Sequence, residues 1–326
     1  MMKTVPLLKL ENLIKHYSNS TSSFFGKEKS LVRAVDGVNL YINHGETLGL
    51  VGESGCGKST LAKVLLHLER PTSGRVVFKG DDITNLRGER LRKFRSSIQM
   101  VFQDAYSSLN PRMKIGEVIK EPLNNFKSAA KNRDERVIEL LELVGLNRSY
   151  LGRYPHELSG GQRQRIAIAR ALALNPSLVI CDEATANLDV SIQSQIINLL
   201  VDLRKKLGLS YLFISHDLAL VQHVSNRIAV MYLGKIVEVI ASNMLNKDTL
   251  HPYTKSLIAS VFSIKNIDHK KAVDLLKGEL PSPIDIPMGC RFHPRCPNAV
   301  EICKEAEPPL VHVSKGHICA CHLLVG

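Results

Sequence analysis

The sequence predicts an α/β fold built on a mainly parallel sheet, and three observations carry that reading. The first is "ETLGLV" (46–51), a short apolar run that stops at a glycine cluster and is followed by "STLAKVLLHLERP", where Leu61, Val64, Leu65 and Leu68 share one helical face. The second is a series of later apolar runs, each short and separated from the next by a helical stretch, as in βα units around a parallel sheet. The third is residues 104–165, more polar and mostly helical, which read as a helical subdomain inserted into that alternation.

Taken in order, residues 35–42 ("VDGVNLYI") alternate loosely as a strand before the run at 46–51, and the helix beyond the glycines ends at Pro71. Further strands are expected at 75–80, 97–102, 177–182, 210–215, 226–232 and 235–240, and helices at "EVIKEPL" and "RVIELLELVG". "SNSTSSFFGKEKS" (18–30) reads as a polar loop. "RGERLRKFR" (87–95) reads as a solvated helix face, with lipid head-group contact as its alternative. From about residue 245 the chain turns irregular, and seven of its 14 prolines fall between Pro281 and Pro309. Such a segment is expected to make few backbone ladders and to benefit from a staple. The reading gives a main domain at 1–244 and a small irregular C-terminal region at 245–326.

At 326 residues, 44% of them hydrophobic, the chain has room for one large domain and an appendage. Its net charge of +12 fits a partner that is a polyanion, or simply a soluble basic surface. The N-terminal sequence has no apolar core of signal-peptide length, and the most apolar run, "YLFISHDLALV", is interrupted by His216 and Asp217. A soluble cytoplasmic chain with reduced thiols is expected.

"GESGCGKST" (52–60) matches G-x-x-x-x-G-K-[ST] between a strand and a helix, the context that makes the match specific. Gly52, Gly55 and Gly57 let the backbone turn its N–H groups inward on phosphate oxygens; Glu53, Ser54 and Cys56 fill the intervening positions. Lys58 supplies a point charge for the β/γ-phosphates, Ser59 a hydroxyl for Mg²⁺, and Thr60 continues into the helix, whose positive end adds to the cradle. "SLVICDE" (177–183) completes the pattern: Asp182 to hold the magnesium, Glu183 to act as general base on a water in line with the γ-phosphate.

"LSGGQRQR" (158–165) resembles the signature sequence of the ATP-binding cassette (ABC) ATPases. Ser159, Gly160 and Gly161 precede a helix expected to begin near Gln162, so they form a second phosphate-binding helix start. The resemblance, over about residues 5–240, implies a P-loop (RecA-like) nucleotide-binding domain with an antiparallel β subdomain. It also implies ATP sandwiched between two chains, one offering the phosphate loop and the other its signature. Gln103 in "VFQD" is similar to the glutamine that contacts Mg²⁺ and the water, and Asp189 in "NLD" to the acidic residue of the loop at the dimer interface. His216 in "FISHD" resembles the switch histidine near the γ-phosphate, and Tyr17 in "IKHY" the aromatic that stacks on adenine. The sequence departs at "ATAN" (184–187), where relatives often carry a Pro-containing turn.

"HPYTKSLIASV" (251–261) and "GCRFHPRCPNAVEICKEAEPPL" (289–310) resemble the tail of ATPases from dipeptide and oligopeptide importers. "VFQDAYSSLNPRMKIGEVIKEPL" (101–123) is similar to the second, F-type, of their two ATPase subunits. That implies a paralogous ATPase subunit as heterodimer partner, two membrane permease subunits, an extracytoplasmic peptide-binding protein, and a place at the cytoplasmic face of the membrane, with no nucleic acid. Nickel importers share much of this architecture, so a nickel or metal-chelate cargo is the alternative. A soluble ABC protein acting on ribosomes or nucleic acid is a second, and a P-loop enzyme outside the family a third.

Five of the seven cysteines lie in the last 37 residues. Disulfides fit poorly with a cytoplasmic chain, and structural zinc usually shows tight C-x₂₋₄-C pairs. Cys290, Cys296, Cys303 and Cys319, widely spaced on an irregular segment, can ligate a [4Fe–4S] cluster, with Arg291, Arg295 and Lys304 to offset its charge. The family tail points the same way; zinc and free thiols stay open. Cys56 and Cys181 are expected to be structural.

Overall fold

The structure is a computed structural model that describes residues 5–23, 26–126, 132–265 and 281–324. The chain forms two compact units: residues 1–42, 48–84 and 215–326 make the first, and residues 43–47 and 85–214 the second.

The first unit holds an antiparallel sheet in the order Gly26–Ile42, Leu8–Ser23, Ser73–Phe78, Asp81–Asp82. Leu8 lies opposite both Ile42 and Phe78, and Leu10 opposite Leu40 and Val76. All six are buried, because the two-residue period of each strand sends them to one face. The long hairpin replaces the polar loop expected at 18–30, with Ser23 paired to Gly26. Backbone pairing runs through that extension, and its polar sequence carries no apolar alternation to announce it.

The same unit contains a second set of strands. Leu48–Val51 runs parallel to Arg227–Tyr232, which turns back antiparallel into Lys235–Ala241. These strands are apolar along their length, as buried parallel pairs require. The helix Lys58–Leu65 follows the glycine loop and buries Leu61, Ala62, Val64 and Leu65. It ends earlier than Pro71, where His67 takes a φ of 53°.

The C-terminal region departs from expectation. Val311–Ser314 and His317–Cys319 extend the sheet, with Glu238 opposite Cys319 and Val239 opposite Ile318. Glu238, 0% exposed, accepts hydrogen bonds from the Leu250 N–H (2.8 Å), the His251 N–H (3.3 Å) and His317 Nε2 (2.8 Å). The boundary expected at 244/245 therefore falls inside one compact unit.

In the second unit, Ile98–Val101, Leu178–Asp182 and Ser210–Ile214 pair in parallel, with Cys181 opposite Val101 and Asp182 opposite Ile214. The expected helices appear as Ile115–Asn125 and Arg133–Leu143, the second capped by Asn132, whose side chain accepts from the N–H groups of Asp134 and Glu135. Gly160–Leu172 and Val190–Leu207 complete the unit, and Gly208, at φ 65°, stops the latter.

Candidate active site

The first unit supplies the phosphate loop. Lys58 is buried, and its Nζ donates to the carbonyls of Gly52 (2.7 Å) and Glu53 (2.9 Å) and lies 3.7 Å from Cys56 Sγ. The loop's own backbone thus holds the ammonium inside its curve, while Ser54, Gly55 and Ser59 stay exposed at the lip. Gly57 is obligatory here: its φ is 112°, and a Cβ would stand 2.0 Å from the Ala34 carbonyl oxygen. Thr60 lies in the first turn of the helix. Cys56 is buried, and desolvation raises its thiol pKa, as expected of a structural thiol.

Glu53 also contacts the C-terminal segment. Its N–H donates to Tyr253 Oη (2.9 Å), and its carboxylate is bound by Arg295 Nη1. Its N–H and carboxylate thus engage the C-terminal segment, while its carbonyl accepts from Lys58 Nζ.

His216, exposed, is fixed on either side. The Ser215 N–H bonds the Leu50 carbonyl (3.3 Å), and Asp217 caps the helix Leu218–Val224 by accepting from the N–H groups of Ala219 and Leu220. Asp217 was legible as a cap, a polar residue just ahead of an apolar helical run. Tyr17 is half-buried opposite Val32, with Lys15 Nζ 4.7 Å from its ring centroid.

The second unit supplies the acidic pair and the signature. Asp182 ends its strand, and Glu183 follows at φ 48°, a left-handed conformation that a non-glycine residue seldom adopts. The Glu183 N–H is tied to the Ile214 carbonyl (2.9 Å), and its carboxylate accepts from Gln103 Nε2 at 2.8 Å. The structure thus brings together Gln103 and Glu183, two site residues 80 positions apart. An amide donor there fixes the direction of the carboxylate.

In the signature, the Ser159 side chain accepts from the Gln162 N–H (3.3 Å), and Gln162 Oε1 accepts from the Ser159 N–H (3.0 Å). This reciprocal capping box starts the helix at Gly160, two residues earlier than expected. Gln162 Nε2 also donates to Tyr150 Oη (3.0 Å), a partner the sequence does not reveal. Ser159 and Gly160 are exposed, whereas Gly161 is buried against Ile192, whose Cγ2 would lie 2.6 Å from an added Cβ. Asp189 is exposed at the start of Val190–Leu207, and its side chain makes no capping bond to that helix.

Among the tail cysteines, Cys290, Cys296, Cys303 and Cys321 each lie within electrostatic reach of the other three. Burial pushes the Cys290 thiol up to about 11. Cys319, expected in this group, is instead fully buried in its strand, paired opposite Glu238 and Val311. Its neighbours are Glu238 and, of the thiols, Cys321. Strand pairing fixes Cys319 within the sheet, and Cys321 lies just beyond the strand end. Among the described residues no three His, Cys, Asp or Glu side chains already meet as a metal-ligand set. Also among the described residues, no helix is long and apolar enough to cross a membrane.

Comparison with known proteins gives the family of the chain. The ABC transporter family model matches residues 35–186, and that of the oligopeptide/dipeptide transporter C-terminal region matches residues 237–303. The chain is 52% identical to the oligopeptide transport ATP-binding protein AppF of Bacillus subtilis, over 95% of each chain. It is 45% identical to the dipeptide transport ATP-binding protein DppF of Haemophilus influenzae, over 98% of this chain and 97% of that one. In structure it resembles the ATP-binding cassette MJ0796, solved as a dimer with ADP and phosphate, at a TM-score of 0.63 and 32% identity over 72% of this chain and 98% of that one. The chain is an ATPase of the ABC transporter family and belongs to the ATP-binding subunits of its oligopeptide/dipeptide branch.

Proposed function

We propose that this chain hydrolyses ATP to drive uptake of dipeptides or oligopeptides through a separate membrane permease. The observation that carries the cargo class is the match of residues 237–303 to the oligopeptide/dipeptide C-terminal region, backed by relatives named for peptide transport. The test is uptake into vesicles containing the assembled importer, offered a panel of peptides and, separately, nickel and nickel chelates. Peptide uptake that depends on ATP is expected; nickel uptake without peptide uptake overturns the reading.

The roles follow from the residues. Lys58 and the N–H groups of Gly55, Gly57 and Ser59 receive the phosphates, and Tyr17 takes the adenine. Glu183, aimed by Gln103, accepts a proton from water as the water oxygen bonds the γ-phosphorus and the bond to ADP breaks. His216 addresses the γ-phosphate. Ser59, Asp182 and Gln103 suit Mg²⁺, being hard oxygen donors at a loop mouth and a strand end. When bound, that ion neutralises phosphate charge. Ser159, Gly160, Gly161 and Gln162, with Asp189, meet the nucleotide of a second, paralogous ATPase subunit; Asp189 makes no capping bond in its own helix.

Phe102 and Tyr106, 40% and 52% exposed beside Gln103, give the permease an apolar foothold. Two permease subunits and an extracytoplasmic peptide-binding protein complete the assembly, with this chain at the cytoplasmic face of the membrane. Cys290, Cys296, Cys303 and Cys321 match a [4Fe–4S] cluster in number and ligand type, and such a cluster would staple the Pro-rich tail. Anaerobically purified protein should be brown and hold about four irons per chain, lost in Cys321→Ser and kept in Cys319→Ser. Zinc in place of iron, or the reverse order of the two variants, contradicts this assignment.

A further inference from the structure

The phosphate loop is held from behind by the C-terminal segment. Glu53 donates its N–H to Tyr253 Oη (2.9 Å) and rests its carboxylate on Arg295 Nη1 (2.9 and 3.1 Å to its two oxygens). Arg295 lies 242 residues further along, between Cys290 and Cys296. The Arg295 side chain is 6% exposed and that of Glu53 24%, so the guanidinium is buried while the carboxylate keeps an edge in solvent.

The rings of Tyr232, Tyr253 and Phe292 pack beneath the pair, with centroids 4.6, 5.3 and 5.4 Å apart. All three are buried, and Tyr232 Oη lies 3.5 Å from Arg295 Nη1. Neither contact to Glu53 can shift without opening that cluster. The chemistry explains the need. A loop that gathers a triphosphate carries a carboxylate of its own, which repels the ligand unless a cation cancels it. Arg295 is that cation, and a guanidinium does so in fixed geometry.

We propose that Arg295 and Tyr253 are positioning residues for ATP binding: they neutralise and clamp Glu53, so that the cysteine-bearing tail sets the affinity of the phosphate loop. The proposal rests on residues 52–60 being the ATP loop, and goes beyond it by making the tail part of the same device.

Calorimetric titration of the full chain with the magnesium salt of a non-hydrolysable ATP analogue tests it. Arg295→Gln should weaken binding about tenfold, equivalent to ~1.4 kcal/mol. The defect should shrink at high salt, where a lone carboxylate is screened. Glu53→Gln added to Arg295→Gln should recover most of the loss, because no uncancelled carboxylate remains. A purely structural role for Arg295 would leave the double variant as weak as the single one. Tyr253→Phe keeps the ring and removes the acceptor of the Glu53 N–H; a loss of about threefold is expected. Arg295→Gln binding within twofold of the parent, or no recovery in the double variant, overturns the proposal. If Arg295→Gln does not fold, unchanged affinity in Tyr253→Phe overturns it instead. Lys58→Ala separates the two levels: normal affinity there defeats the ATP-loop reading itself, whereas lost affinity there with normal affinity in the other variants defeats only this inference.

Discussion

Replacing Glu238 by alanine should unfasten the C-terminal segment from its sheet. Three donors converge on this carboxylate, which is 0% exposed: the N–H groups of Leu250 and His251, and His317 Nε2 at 2.8 Å. Leaving the buried His317 Nε2 without its partner costs about 3 kcal/mol, the upper end for an unsatisfied buried polar group. The two amides left without an acceptor add about 1 kcal/mol each where water cannot reach them. A total of ~5 kcal/mol exceeds a third of a typical domain's stability. Each 1.4 kcal/mol is a factor of ten, so hydrogen exchange at Leu250, His251 and Ile318 should accelerate by about 10³-fold or more. Glu238→Gln keeps one acceptor and the shape, and should cost about half as much. Mass-spectrometric exchange with a urea midpoint measures both variants. Acceleration under tenfold in Glu238→Ala would refute the claim that this side chain stitches the tail into the first unit.

His251 makes stability fall in acid. Burial, only partly opposed by its bond to the Ala320 carbonyl, lowers its pKa from 6.5 to about 4. The folded state therefore keeps the ring neutral while the unfolded chain takes up a proton below pH ~6.5. This stability is fully present above pH 6.5 and is lost as pH falls toward 4, by ~3 kcal/mol. Urea midpoints at several pH values should show that slope, and His251→Gln should flatten it. Gln103→Ala should lower the ATPase kcat about 10–100-fold with nucleotide affinity nearly unchanged, since it releases the Glu183 carboxylate from its 2.8 Å donor; steady-state and binding assays together check this. Gly57→Ala should weaken nucleotide binding about 100-fold or more, because the new Cβ meets the Ala34 oxygen at 2.0 Å and φ 112° disfavours any side chain; a titration with ATP analogue reads it directly.

The core of this fold is legible because its strands are continuous apolar runs and its loops carry glycines with a mechanical purpose. The runs at 46–51, 177–182, 210–215 and 226–232 all became buried strands. The hairpin continuing through Ser18–Ser23 was not legible, because polar residues held by backbone pairing leave no apolar period. The tail strands were hidden for a different reason: His317–Cys319 is three residues long and its partner lies some 80 positions away, too short and too distant for any local pattern. At the site, the phosphate loop, Glu183 and the signature announced themselves by spacing. Their supports did not. Tyr253, Arg295 and Tyr150 act through contacts to residues distant in the sequence, which no local pattern announces.

The central claim is that Glu183 is the base of an ATPase whose nucleotide is bound independently by the phosphate loop. Measuring ATP binding and ATP turnover on the same preparation of Glu183→Gln, assembled with its permease, tests it most directly. The account predicts affinity within about threefold of the parent and turnover reduced at least about 10²-fold, the contribution of a positioned general base. It also predicts a closed, ATP-loaded ATPase pair that accumulates. Turnover near the parental rate with ATP bound would contradict the account.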